Sequence, residues 1–377
     1  MELSKEEKKE LSIGLLREWW ITATQAFVDS AGSEIALHFI RPHFIHSGKA
    51  GFKMFPSATG VENLADFGIM NFKRAQGYML AAMMDGSWGP TYDADDGSGI
   101  GELQGCATKG QCKEVCAACE YLSCEAEMLD PSYEVLLTHS LARGDESCHW
   151  LVSKKGKVPN VRPTEEFLTP PNLRLKSELV ASNEVRDALS HAYLGEFWVM
   201  TTKAFVEQAG SERALERLKF YMRHSGMSLG IRLADRLKAH QRKVDPVVDL
   251  VLLIQAMHQR KGEVRKQTGN ADCEIMECPF SGSPSESCLQ YEAFFNGICE
   301  AIDPSYEFAY DRMMTKGDKT CHWTIRKKGE LVKEELKEEA PSDDPVKMLA
   351  MRFAKGEITE EELEKKVAHL RKLGLMK

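Results

Sequence analysis

Two heptapeptides repeat one order of residue types: GDESCHW from Gly144 to Trp150 and GDKTCHW from Gly317 to Trp323. A cysteine beside a histidine can act as a metal grip or as a thiolate–imidazole pair, so it matters whether the two side chains point the same way. Each heptapeptide follows a strand-like run and carries a Gly-Asp turn signal, which makes it the returning arm of a hairpin. Side chains alternate across a strand. Cys148 and Trp150, like Cys321 and Trp323, therefore share one face, and His149 and His322 take the other. The Cys-His dipeptide is not a chelate. Two roles stay open for Cys148 and Cys321: a small buried apolar residue, or a pocket thiol activated by a neighbouring cation or base.

A second sulfur pattern recurs upstream. Cys106 and Cys116 lie in CATKGQCKEVC, Cys278 and Cys288 in CPFSGSPSESC, and each pair is separated by the same ten-residue step. Zinc sites usually space their cysteines by two to four residues, so this step is not a zinc signature. Cys112, Cys116 and Cys119 follow helical intervals. Cys288 is expected near a helix N-terminus, where the helix dipole favours a thiolate. The ligand pocket of each copy is expected to draw on Trp150, His46 and Cys116, or on Trp323, His224 and Cys288. His46 and His224 both sit in HSG, which reads alternatively as a helix C-terminus with a glycine cap. Asp145 and Asp318 suit a turn, and Glu18 and Glu196 read as helix-surface carboxylates. No Walker, dinucleotide or HExxH motif is present.

The elements that must position these residues emerge from self-similarity. REWWITATQAFVDSAGSEIAL from Arg17 matches GEFWVMTTKAFVEQAGSERAL from Gly195, and one shift of 178 residues carries both Glu18 to Glu196 and His46 to His224. A shift of 173 carries Asp130 to Asp303 and Cys148 to Cys321. The chain is a tandem duplication. Residues 1–157 and 181–330 form the copies, 158–180 a Pro-rich linker, 331–342 a charged linker and 343–377 a last unit. Periodicity predicts the same order in each copy: helices, a hairpin, a helix, a hairpin. Ser33 is expected to cap the second helix, and Gly269-Asn270 to turn a hairpin. The fold class is α+β, with helices covering an antiparallel sheet in each of two tandem domains.

The sequence has 43% hydrophobic residues and a net charge of −8, which fit a globular protein and speak against bulk binding of nucleic acid. No run reaches the roughly 18–20 apolar residues of a membrane span. A cytoplasmic location is expected, where the cysteines stay reduced.

The stretch from Cys278 to Ile325 resembles the L-2-amino-thiazoline-4-carboxylic acid hydrolase family, through CPF, FFNGICEAIDP and GDKTCHW. The first copy matches through LDPSYE and GDESCHW, with CAT in place of CPF. The Gly-Asp-x-x-Cys hairpin is also similar, at a distance, to 4-vinyl-reductase-type ligand-binding domains. The resemblance implies hydrolytic opening of a cyclic thiazoline, with Cys278, Asp318 and Cys321, and Cys106, Asp145 and Cys148, in the site. The alternative is a non-enzymatic protein that holds a small ligand, metal or prosthetic group among these cysteines. The last unit, DPVKMLAMRFAKGEITEEELEKK, resembles the short SHOCT domain, two amphipathic helices with a Thr359–Glu362 capping box. So short a unit needs a partner surface, which implies self-association. The two copies are expected to face each other as a pseudo-dimer.

Overall fold

The computed structural model describes residues 5–59, 69, 73, 76–77, 80–81, 83–84, 86–93, 98–109, 112–157, 174–175, 183–239, 261–267, 270–278 and 280–329. The chain divides into two compact units, Met1–Lys328 and Gly329–Lys377. Both copies fall within the first. The SHOCT-like segment, most of the Pro-rich linker and the apolar run VVDLVLLIQAM lie outside the described residues.

The fold is α+β. In the first copy α1 (Lys5–Ala31) and α2 (Ser33–Thr59) precede β1 (Ser87–Asp93), β2 (Gly99–Gln104), α3 (Ala117–Leu129), β3 (Tyr133–His139) and β4 (Cys148–Lys154). A two-residue strand, β5 (Arg174–Leu175), follows from the linker. The second copy repeats the order with α4 (Asn183–Ala209), α5 (Ser211–Ala239), β6 (Lys261–Gln267), β7 (Asn270–Glu277), α6 (Ser285–Ile302), β8 (Tyr306–Arg312) and β9 (Cys321–Lys327). The sheets run β3-β4-β2-β1-β5 and β8-β9-β7-β6, antiparallel throughout and matched strand for strand apart from β5. Gln267 pairs with Asn270, so Asn270 is a strand residue rather than a turn residue. No helix among the described residues is long and apolar enough to cross a membrane.

Each copy opens with two helices broken at one glycine. Gly32 and Gly210 take left-handed φ of 85° and 81°, a conformation that costs glycine no Cβ clash. The Gly32 carbonyl accepts the Ala36 N–H at 3.0 Å and so opens the ladder of α2 itself. That leaves Ser33 free of the capping role: its hydroxyl donates instead to Glu114 Oε1, and Ser211 makes the matching bond to Glu286.

The copies meet through pairs that exchange under the 178-residue shift. Trp19 packs on Trp198 with ring centroids 5.4 Å apart, and Trp20 on Phe197 at 5.1 Å. Phe27 stacks on its own counterpart, Phe205, at 4.5 Å. Polar contacts swap in the same way. Ser225 donates to Glu18 at 2.6 Å and Ser47 to Glu196; His43 meets Glu207 at 2.8 Å, and Tyr221 donates to Asp29. This is the isologous geometry of a two-fold interface within one chain. The buried side chains of both copies join in one apolar core. Glu18 and Glu196 are thus interface carboxylates rather than surface ones. Burial pushes Glu196 up to about 7.

HSG does not end a helix in either copy. His46 to Gly48 lie inside α2 and His224 to Gly226 inside α5. The glycine of the second copy serves a helix crossing: a Cβ on Gly226 would fall 1.9 Å from the Phe294 carbonyl oxygen, and one on Gly297 of α6 would fall 2.0 Å from that of Arg223.

Candidate thiol site

The twin heptapeptides are built into loops that lead from β3 to β4 and from β8 to β9. A single 3-10 turn, Leu141–Arg143 or Met314–Lys316, ends at a left-handed glycine, Gly144 at 99° or Gly317 at 96°. The Asp145 carboxylate then accepts the Ser140 N–H at 2.6 Å, and Asp318 accepts the Met313 N–H at 2.7 Å. The sulfurs of Cys148 and Cys321 accept the N–H groups of Leu141 and Met314, each at 3.2 Å. Aspartate and cysteine together satisfy the backbone of the turn. Both cysteines are buried, and burial pushes Cys148 up to about 11. Asp318→Ala strands the Met313 amide, with an expected loss of about 1–3 kcal/mol, read by urea denaturation. Unchanged stability would show that the turn holds without it.

Strand alternation places the remaining motif residues as the sequence implied. Cys148, Trp150 and Val152, and Cys321, Trp323 and Ile325, belong to the core. Trp150 pairs with Gly101 across the strands, and Trp323 stacks on Phe308 at 5.3 Å. His149 and His322 take the other face, where Ser147 lies 2.7 Å from His149 and Asp311 2.9 Å from His322. His46 and His224 are exposed on their helices, the latter bonded to the Phe220 carbonyl of its own helix at 2.8 Å. The two tryptophans are core members, and the two histidines face solvent.

The thiols do converge in the first copy. Cys106 follows β2, Cys116 closes the 3-10 turn Lys113–Cys116, Cys119 lies in the first turn of α3, and Cys148 opens β4. Cys119 is hydrogen-bonded to Cys116 and lies close to Cys148 and Cys106. Cys106 Sγ is 2.9 Å from Thr108 Oγ1, and Cys116 Sγ is 3.3 Å from Ser140 Oγ. The bond from Cys119 lowers Cys116 to about 6, helped by Ser140 and the Arg143 guanidinium against the cost of burial. Its partner moves the opposite way: the same bond and burial raise Cys119. Cys112 has another use, donating to Glu114 Oε2 at 3.1 Å. In the second copy Cys278, Cys288 and Cys321 hold the matching sequence positions, with Cys288 buried in the first turn of α6. Tyr291 stands where the first copy has Cys119.

Cys116 and Cys119 form a C-x-x-C at a helix start, a readable signal that the ten-residue step obscured. All eleven cysteines are described, and none is in a disulfide. Among the described residues no group of three or more His, Cys, Asp or Glu side chains is disposed to hold a metal ion. A separate groove of about 530 Å³ lies between α5, α6 and β8, with Phe220, Arg217, Lys219, Arg223, Glu292 and Asn296 in its walls. Burial raises the Glu292 carboxyl there. It contains none of the residues named from sequence. No protein family, no curated protein and no solved structure matches the chain.

Proposed function

We propose that the chain is a cysteine-dependent, hydrolase-like protein acting on a small cyclic amidine, with Cys116 of the first copy as its nucleophile. One observation carries the reading: Cys116 is partly exposed, receives a bond from Cys119, lies beside Ser140 and Arg143, and is held near 6. A thiolate at neutral pH is the reactive form. This moves the role away from Cys106, Cys148, Cys278 and Cys321, the cysteines that the family resemblance implies. Two of them, Cys148 and Cys321, are buried acceptors of turn amides. In the reaction the Cys116 sulfur adds to the amidine carbon, and the ring carbon–sulfur bond breaks as the departing sulfur takes a proton. Water then displaces Cys116 and leaves the carbamoyl product. Arg143 favours the anionic sulfur on its departure. A cytoplasmic setting, which keeps these thiols reduced, and self-association through the C-terminal segment belong to the same proposal.

Alkylation by iodoacetamide tests the thiol. At pH 6.5 an ordinary cysteine is only about 1% thiolate, so Cys116 is expected to react far ahead of the rest, along a rate–pH curve displaced to lower pH than that of the other thiols. That fast phase, and turnover of an aminothiazoline carboxylate, should vanish in Cys116→Ser and persist in Cys124→Ser. A Cys116 no faster than the bulk thiols at pH 6.5 ends the reading. A separate small-ligand reading, distinct from a ligand held among the cysteines, has support in the groove at Glu292, where an exposed aromatic ring and mixed charges suit a small polar ligand.

A further inference from the structure

We propose that Cys116 and Cys119 form a reversible dithiol–disulfide couple, a redox site confined to the first copy. The inference goes beyond hydrolysis and needs no amidine turnover. Its basis is an asymmetric pair. Cys116 ends a 3-10 turn that runs straight into α3, and Cys119 lies three residues on, so both side chains fall on one face of continuous helical backbone. Cys116 is partly exposed and Cys119 is buried behind it, and the two thiols are hydrogen-bonded. The outer sulfur meets an oxidant first, and the inner one keeps its proton until it is needed. Ser140 and Arg143 border the outer sulfur, and Cys106 and Cys148 complete the cluster around the inner one. The second copy supplies an internal contrast. Cys288 is buried where Cys116 is partly exposed, and Tyr291, also buried, replaces the inner thiol. The same scaffold there holds no second sulfur at that position.

The chemistry balances with hydrogen peroxide as oxidant. The Cys116 thiolate attacks one peroxide oxygen, the O–O bond breaks, and the departing hydroxide takes a proton to leave as water. Cys116 is then a sulfenic acid. The Cys119 sulfur attacks the Cys116 sulfur, the S–O bond breaks, and the hydroxide leaves with the proton of Cys119 as a second water. Two thiols lose two electrons in all and one peroxide gains them. A small dithiol reverses the step by exchange through a mixed disulfide.

The test uses the full chain. Native protein is treated with hydrogen peroxide, remaining thiols are blocked, and the chain is cut after Lys113 and Tyr121. The resulting Glu114–Tyr121 peptide contains Cys116 and Cys119 and no other cysteine. It should appear unalkylated and lighter by two hydrogens, and should return to the dithiol after treatment with dithiothreitol. Cys119→Ser should instead accumulate a sulfenic acid on Cys116 that a dimedone probe captures. Disulfides mapped between other cysteines, or two free thiols on that peptide after peroxide, overturn the proposal without any variant having to fold. A mapped disulfide without amidine turnover removes the hydrolytic reading alone; turnover without the disulfide removes only the redox couple.

Discussion

Gly297→Ala is expected to destabilise the protein by about 3 kcal/mol, a drop in Tm of about 5 °C for a unit of this size. Alanine in a helix normally gains about 1 kcal/mol over glycine, so the expected sign is opposite to the local preference. The reason is the crossing of α5 and α6. The new methyl would sit 2.0 Å from the Arg223 carbonyl oxygen and 2.9 Å from the Met227 nitrogen. Both are backbone atoms, which cannot rotate away, so the helices must part. Parting them loosens Phe294, Phe295 and Ile298, all fully buried on α6. Gly282→Ala is the control, because a Cβ there meets nothing within 4 Å. Equal melting temperatures for the two variants would mean that the helices are not in backbone contact.

Glu196→Gln should stabilise the protein at pH 8 by about 1–3 kcal/mol and leave it unchanged at pH 4. Glu196 is raised from 4.5 to about 7 because burial penalises its charged form. Below pH 4.5 the carboxyl is protonated in the folded and unfolded chains alike, so the full benefit of the neutral form is present. Between pH 4.5 and 7 the unfolded chain ionises first, and stability falls; above 7 the loss is constant. Glutamine cannot ionise and can still accept the Ser47 hydroxyl. Half-buried His191, bonded to Ser12 at 2.8 Å, has the opposite linkage. Its folded value is depressed by burial and by Lys9, so it loses stability as pH falls below about 6.5. The difference between the two proteins cancels that term. Parallel stability curves from pH 4 to 8 would show that Glu196 is solvated.

Much of the scaffold was readable because its signals are local. A constant shift exposes the duplication, and period-two alternation separates Cys148 and Cys321 from the histidines beside them. The internal glycines are ambiguous in sequence for a physical reason: a glycine that ends a helix and one that lets two helices touch look alike until the second helix is in place. Gly226 is the second kind. Serine before an apolar run usually makes a cap, yet the bond that Ser33 makes reaches Glu114, 81 residues away. Glu18 and Glu196 carry no local mark at all, since their partners belong to the opposite copy. The thiol site was half legible. Cys116 was named for its ten-residue step, but its chemistry depends on Cys119, Ser140 and Arg143, and the last two arrive by way of a loop after β3.

The reciprocal aromatic contacts also set a schedule for synthesis. Trp20 and Phe27 find their covers in Phe197 and Phe205. Phe197 is made 177 positions after Trp20, and Phe205 178 positions after Phe27. At a translation rate of about 5–20 residues/s the first copy waits roughly 10–35 s with its apolar helix face bare. Slowing the ribosome between the copies lengthens that exposure. Once Phe205 has emerged, the chain meets its partner at the high effective concentration that only a covalent tether provides, and the ribosome-bound intermediate ends without any second polypeptide.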